Sequence, residues 1–179
     1  MNFAFWNVRG IVDPVRQFDV RNFIRSNNIC YIGLMETKMS GWEWIFNYEY
    51  STRGRIWVGW SSNLVNFIVH YTNGQIIYGL LNHLISGKSL FLSAIYGNHT
   101  FVARRPLWDD LVRLSGLLSD SPWIVASNFN AIRDPFDRLG SPDIWIPAFD
   151  EFKDCLGCAE LEDLRSVGFK YTWSSYSGD

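Results

Sequence analysis

The chain has 179 residues, 47% of them hydrophobic and 19% charged, with a formal net charge of −2. That is enough for one domain with a sizeable core, and the balance excludes a disordered segment. The charge lends no support to a broadly basic nucleic-acid binder, although a local arginine cluster is compatible with it. Arg53, Arg55, Arg104, Arg105, Arg133 and Arg138 are scattered along the sequence, and solvated surface is their plain expectation.

Phe3 and Phe5 alternate with smaller residues, a strand that runs toward Asn7. Asp13-Pro14 predicts a helix start, with the aspartate as cap and the proline at the first helical position. Val20, Phe23 and Ile24 follow at helical spacing, and Asn27-Asn28 ends the helix. Ile29 to Met35 is an apolar strand that delivers Glu36. The middle reads as a meander of strands over 55–60, 64–70, 75–81 and 89–96, with an Asn73-Gly74 hairpin signal. Pro106 predicts the start of a second helix, whose face is Leu107, Leu111, Leu114 and Leu118. A short strand over 122–127 delivers Asn128 and Asn130. Pro147 predicts a third helix, with Phe149, Phe152, Leu156 and Ala159 on one face. Strand-like segments at 161–164 and 169–173 close the chain.

Several strand ends thus carry polar residues: Asn7, Glu36, Tyr96, Asn128 and Asn130. Open α/β architectures place sites there. Spacing alone favours ordinary polar loops.

Aromatics make up 17% of the chain, including nine tryptophans. They suit a sheet-rich core, and any spare rings could stack on bases. Cys30, Cys155 and Cys158 are too few and odd in number for a disulfide framework, and they fit a reducing compartment. The CxxC at 155–158 lacks a second pair of ligands, so zinc is not expected. The N-terminus shows no signal-peptide pattern, and no apolar run is long enough for a membrane span. No membrane partner and no small-molecule cofactor are expected, and oligomeric state is not legible. Asn98-His99-Thr100 matches a glycosylation sequon that matters only on a secretory route.

The residue identities carry a resemblance. Phe5-Trp6-Asn7-Val8-Arg9-Gly10, Leu34-Met35-Glu36-Thr37-Lys38, Ala94-Ile95-Tyr96-Gly97 and Arg105-Pro106-Leu107-Trp108 occur in that order. Pro122 to Asn130, Asp137 to Gly140, Leu161 to Leu164 and Gly168 to Trp173 continue the series. Together they resemble the motifs of the endonuclease/exonuclease/phosphatase superfamily, DNase I-like proteins. They are most similar to endonucleases of plant LINE-type (non-LTR) retrotransposons. The match spans residues 1–179 as one domain.

The resemblance implies an α+β fold, a four-layer α/β/β/α sandwich, and Mg²⁺-dependent cleavage of DNA phosphodiesters, with Mn²⁺ as a substitute. It implies that Glu36 is the metal carboxylate, with Asn7 beside it. Tyr96 would hydrogen-bond the phosphate or assist the nucleophile, and Asn130 would orient the phosphate through its amide. Arg9, Asn98 and Thr172 would contact the nucleic acid, although Thr172 reads equally well as a strand threonine. Descent from a retrotransposon would place the protein inside the cell, in the nucleus.

Two departures qualify this. Position 128 is Asn where the family has Asp, the carboxylate that positions and deprotonates the attacking water. Residue 127 is also Ser where Gly is usual. The family's closing Ser-Asp-His strand is expected after Thr172 and is not in this sequence. His70, His83 and His99 do not match it. The expectation is therefore a DNase I-like domain lacking its last strands, holding metal weakly, and inactive or weakly active. The alternative is a non-catalytic nucleic-acid-binding or interaction remnant. An active repair nuclease or phosphoinositide-type phosphatase is disfavoured by the Arg-Pro-Leu-Trp and Tyr-Thr-Trp segments.

Overall fold

The computed structural model describes residues 1–5, 14–34, 41–51, 55–137 and 146–164. They form two four-stranded sheets and three α-helices. The chain divides into two compact units, 1–98 with 118–130, and 99–117 with 131–179.

The first unit holds both sheets. Strand β1 (Asn2–Phe5) leads through α1 (Pro14–Ser26) to β2 (Ile29–Leu34), which lies parallel to it. Two antiparallel strands complete the sheet, β3 (Glu43–Phe46) and β4 (Trp57–Trp60), in the order β1-β2-β4-β3. Strands β5 (Val65–Thr72), β6 (Ile76–His83) and β7 (Ser89–Tyr96) form an antiparallel meander. Strand β8 (Trp123–Asn128) then adds parallel to β7.

Alternation along the strands sets what is buried. Tyr31, Val58 and Trp60 of the first sheet share a core with Phe67, Ile77, Leu81, Leu92 and Ala94 of the second. The two sheets therefore pack face to face. On the first sheet's other face, Ala4 and Ile32 pack with Val20 and Ile24 of α1. Aromatic rings lie over two cross-strand glycines. Phe5 pairs with Gly33 and Trp44 with Gly59, and a Cβ at either glycine would collide with the opposing ring.

The second unit contains α2 (Phe101–Leu117), a 3₁₀ turn (Pro135–Asp137) and α3 (Pro147–Cys158). Trp108 stacks on Phe152 at 5.0 Å between ring centroids. Arg105 grips both carboxylate oxygens of Glu151. That hydrogen bond holds the Glu151 carboxyl below its ordinary range. Cys155 Sγ donates to the Trp108 carbonyl, and burial pushes its thiol up to about 12. Arg133 joins Asp134 and Asp163. No helix among the described residues is long and apolar enough to cross a membrane.

The mixed α+β class and the paired sheets agree with expectation, as do the ends of β7. Several details differ. Helix α2 begins at Phe101, not Pro106, because the Thr100 hydroxyl caps it by accepting the Ala103 N–H. Pro106 lies inside the helix and removes one backbone donor there. The 55–60 segment leaves the meander, since β4 pairs with β2 and β3. Strand β3 was not foreseen. Phe23 is exposed although it sits at helical spacing with Val20 and Ile24. Residues 161–164 form no strand. Asp13 and the 169–173 segment lie outside the described residues.

Candidate functional site

The parallel pair β7 and β8 fixes the site's frame. Their register sets Tyr96 beside Asn128, at the C-terminal ends of both strands. The pairing continues past the strands, where the Gly97 N–H donates to the Asn128 carbonyl at 2.9 Å. The chain then turns. Asn128 Oδ1 accepts the Asn130 N–H at 3.0 Å, a local turn of the kind Asn and Asp side chains make. Asn130 itself has φ of 49°, a left-handed conformation that Asn tolerates better than most residues. Its Nδ2 donates to the Gly97 carbonyl at 2.6 Å, which ties the two strand ends together.

A second ring of bonds supports this frame from Gln75, the residue before β6. The Gln75 carbonyl accepts the Tyr96 N–H, and Gln75 Oε1 accepts the Asn98 N–H at 2.7 Å. Gln75 is buried, and its own N–H donates to Asn73 Oδ1. The neighbouring turn is held in turn from the first sheet. Asn47, fully buried after β3, donates through Nδ2 to the carbonyls of Asn73 and Gly74. Its Oδ1 accepts the Ile56 N–H at 3.0 Å. The next residue back, Arg55, places its guanidinium carbon 5.1 Å from the centre of the Tyr96 ring.

Of the residues expected in the site, the structure brings together Tyr96, Asn98, Asn128 and Asn130. All four are half-buried. Asn7, Arg9, Glu36 and Thr172 lie outside the described residues. In sequence, Asn7 and Glu36 each come two positions after the last residue of β1 and β2, the other parallel pair. Asn47, Gln75 and Arg55 were missed as members. Their partners lie in other segments of the chain; Arg55 and Gln75 each open a predicted strand, and no local signal marks Asn47.

The described set consists of a phenol and three amides, with one guanidinium against the phenol ring. Such groups can bind an anion without repelling it, but none is a proton acceptor at neutral pH. Mg²⁺ takes oxygen ligands that include one or two carboxylates. The described donors alone do not fit that ion, and no cluster of three His, Cys, Asp or Glu among the described residues could hold a metal. His70 packs edge-on to Tyr78 and Phe91, and His83 bonds Ser86 in the β6–β7 turn.

Solved structures share the fold. The endonuclease domain of TRAS1, a telomere-specific non-LTR retrotransposon, superposes with a TM-score of 0.70 over 92% of this chain and 73% of its own, at 10% identity. The chain has the endonuclease/exonuclease/phosphatase fold. An endonuclease/exonuclease/phosphatase family protein from Bacteroides thetaiotaomicron matches at a TM-score of 0.54 and 11% identity, covering 84% of this chain and 66% of that one. ANGEL2, a 2′,3′-cyclic phosphatase, matches at 0.50 and 9% identity, over 88% and 56%. Nucleases and phosphatases thus share the fold, and at these identities the likeness concerns fold alone. No family model matches the sequence, and no curated protein matches it significantly.

Proposed function

We propose that this domain binds the phosphodiester backbone of DNA at the C-terminal ends of β7 and β8, and hydrolyses it weakly. The observation that carries the reading is the commitment of Asn128. Its Oδ1 accepts the Asn130 N–H and serves the turn, and an amide cannot take a proton from water. The binding half is supported separately. Tyr96 and Asn130 stand at adjacent strand ends as neutral groups suited to a phosphate. The resemblance of the sequence motifs to those of retrotransposon endonucleases favours DNA over a small phosphorylated substrate.

The metal belongs to the same proposal. Glu36, with Asn7, would hold Mg²⁺ or Mn²⁺ weakly, because Asn128 contributes no charge. When bound, the ion would offset charge on the scissile phosphate. The chain's own residues orient the phosphate through Tyr96 and Asn130, and position but do not deprotonate a water at Asn128.

Plasmid nicking tests this. Wild-type protein with Mg²⁺ should nick slowly and Asn128→Asp faster by about 10²-fold or more, the scale of general-base help. EDTA or Glu36→Gln should abolish both activities. Fast EDTA-sensitive nicking by wild type, unchanged in Asn128→Asp, would overturn the role given to Asn128. The same commitment of Asn128 favours a second reading, a non-catalytic DNA-binding domain. It is the answer if Asn128→Asp stays inert while both proteins bind DNA with strong salt dependence.

A further inference from the structure

We infer that Arg55 is a phosphate-contacting residue of this site, delivered by the first sheet and aimed by the Tyr96 ring. The inference rests on the phosphodiester reading and adds a basic side chain to its described residues. Tyr96, Asn98, Asn128 and Asn130 carry no positive charge, so nothing among them draws a polyanion from a distance. Arg55 supplies that charge at the same place.

Its position is fixed from both sides. On the first sheet, the N–H of the adjacent Ile56 donates to Asn47 Oδ1, and the Ile56 carbonyl accepts the Asn47 N–H. This clamps the backbone at the start of the guanidinium's reach. On the second sheet, Tyr96 is held through its backbone by Gln75 and by its register with Asn128. The guanidinium lies over the ring at 5.1 Å, within the range of a cation–π contact. Such a contact does not need the guanidinium N–H groups as hydrogen-bond donors, and these match phosphate oxygens.

Four arginines of the second unit are used differently. Arg105 and Arg133 are bound to carboxylates, and Arg104 is buried and donates to the His99 carbonyl. Arg113 pairs with Asp110. Among the described residues, no carboxylate forms an ion pair with Arg55. A guanidinium that no described carboxylate pairs with, parked on the ring of a candidate site residue, is placed to offer its charge to a ligand. The competing account is a strut that merely joins the two sheets.

Salt dependence of DNA binding separates the two. Fluorescence anisotropy of a labelled duplex is followed at several salt concentrations in EDTA, so that metal and cleavage play no part. Each neutralised phosphate adds about 0.9 to the steepness of log K against log salt. Arg55→Met should reduce that slope by about one and weaken binding at low salt, while Arg55→Lys keeps the slope. A strut would change melting temperature without changing the slope. If Arg55→Met does not fold, Arg55→Gln takes its place. Wild-type binding with a slope unchanged in the folded neutral variant overturns the role of Arg55 and leaves the site reading intact. No binding by wild type even at low salt overturns the site reading itself.

Discussion

The described residues contain two parallel strand pairs, each joined through a helix, and they are held together by different means. Among the described residues, strands β1 and β2 are held mainly by packing, with Cys30 Sγ donating to the Asn2 carbonyl across the pair. Phe5 covers Gly33, the Tyr31 ring meets Phe3, Phe5 and Phe67, and Val20 and Ile24 of α1 close the other face. Strand β7 also buries Leu92, Ala94 and Ile95, and β8 is half-buried beside it, but their C-terminal end is tied by polar bonds that outrun the strands. Asn128, Asn130 and Gln75 all spend side-chain atoms on backbone groups there. The difference is that the candidate site residues of the second pair are also its scaffold. A change made there for chemical reasons carries a structural cost, whereas the first pair should tolerate the loss of a polar atom.

The largest effect is expected where the two regions are tied. Asn47→Leu leaves the buried Ile56 N–H without its acceptor and frees the turn at Asn73 and Gly74. One buried unsatisfied donor costs about 1–3 kcal/mol, so chemical denaturation should show at least that loss. DNA binding should weaken too, because Gln75 and Arg55 both depend on this tie. A stability change below about 0.5 kcal/mol would show that the polar ring is dispensable and would break the contrast.

The sequence made some of this legible. Tyr96, Asn128 and Asn130 stood out through the family resemblance, since strand spacing alone favours ordinary polar loops. The α3 helix and the β7 limits were readable because periodicity is local. The tie residues were not. Asn47 follows a four-residue strand, Glu43–Phe46, too short and too aromatic to show alternation. Gln75 looked like the first residue of a strand, and Arg55 like surface. Their roles arise from contacts between segments far apart in the chain, which no window of sequence contains. Even Pro106 misled, because a proline signal was stronger to the eye than the Thr100 cap that starts α2.

A smaller effect separates conformation from chemistry in the second pair. Asn130 combines a left-handed backbone with its bond to Gly97. Asn130→Gly loses the bond but suits the backbone, while Asn130→Ala loses the bond and keeps the strain. Left-handed geometry costs a residue with a Cβ about 1–2 kcal/mol. Denaturation should therefore rank wild type, then Gly, then Ala, with about that gap between the last two. DNA binding should fall equally in both, since both lack the amide. If binding instead followed stability, Asn130 would serve the turn alone.

The smallest expected effect, and the one of opposite sign, lies in the first pair. Tyr31 is fully buried between the sheets, and its hydroxyl has no hydrogen-bond partner among the described residues. Tyr31→Phe keeps all three ring contacts and removes a polar atom that was stripped of water. Its stability should be equal to wild type or higher by about 1 kcal/mol. Alkaline titration gives a second readout. Burial raises the phenol above its ordinary value of 10.0, so the folded state holds that proton more tightly than the unfolded chain. The resulting contribution is fully present below pH 10.0 and is lost as pH rises toward the folded value. Tyr31→Phe should therefore unfold less steeply with pH above that point than wild type. A clear destabilisation by Tyr31→Phe at neutral pH would mean that the hydroxyl is bonded, and that the first pair, like the second, depends on a polar tie.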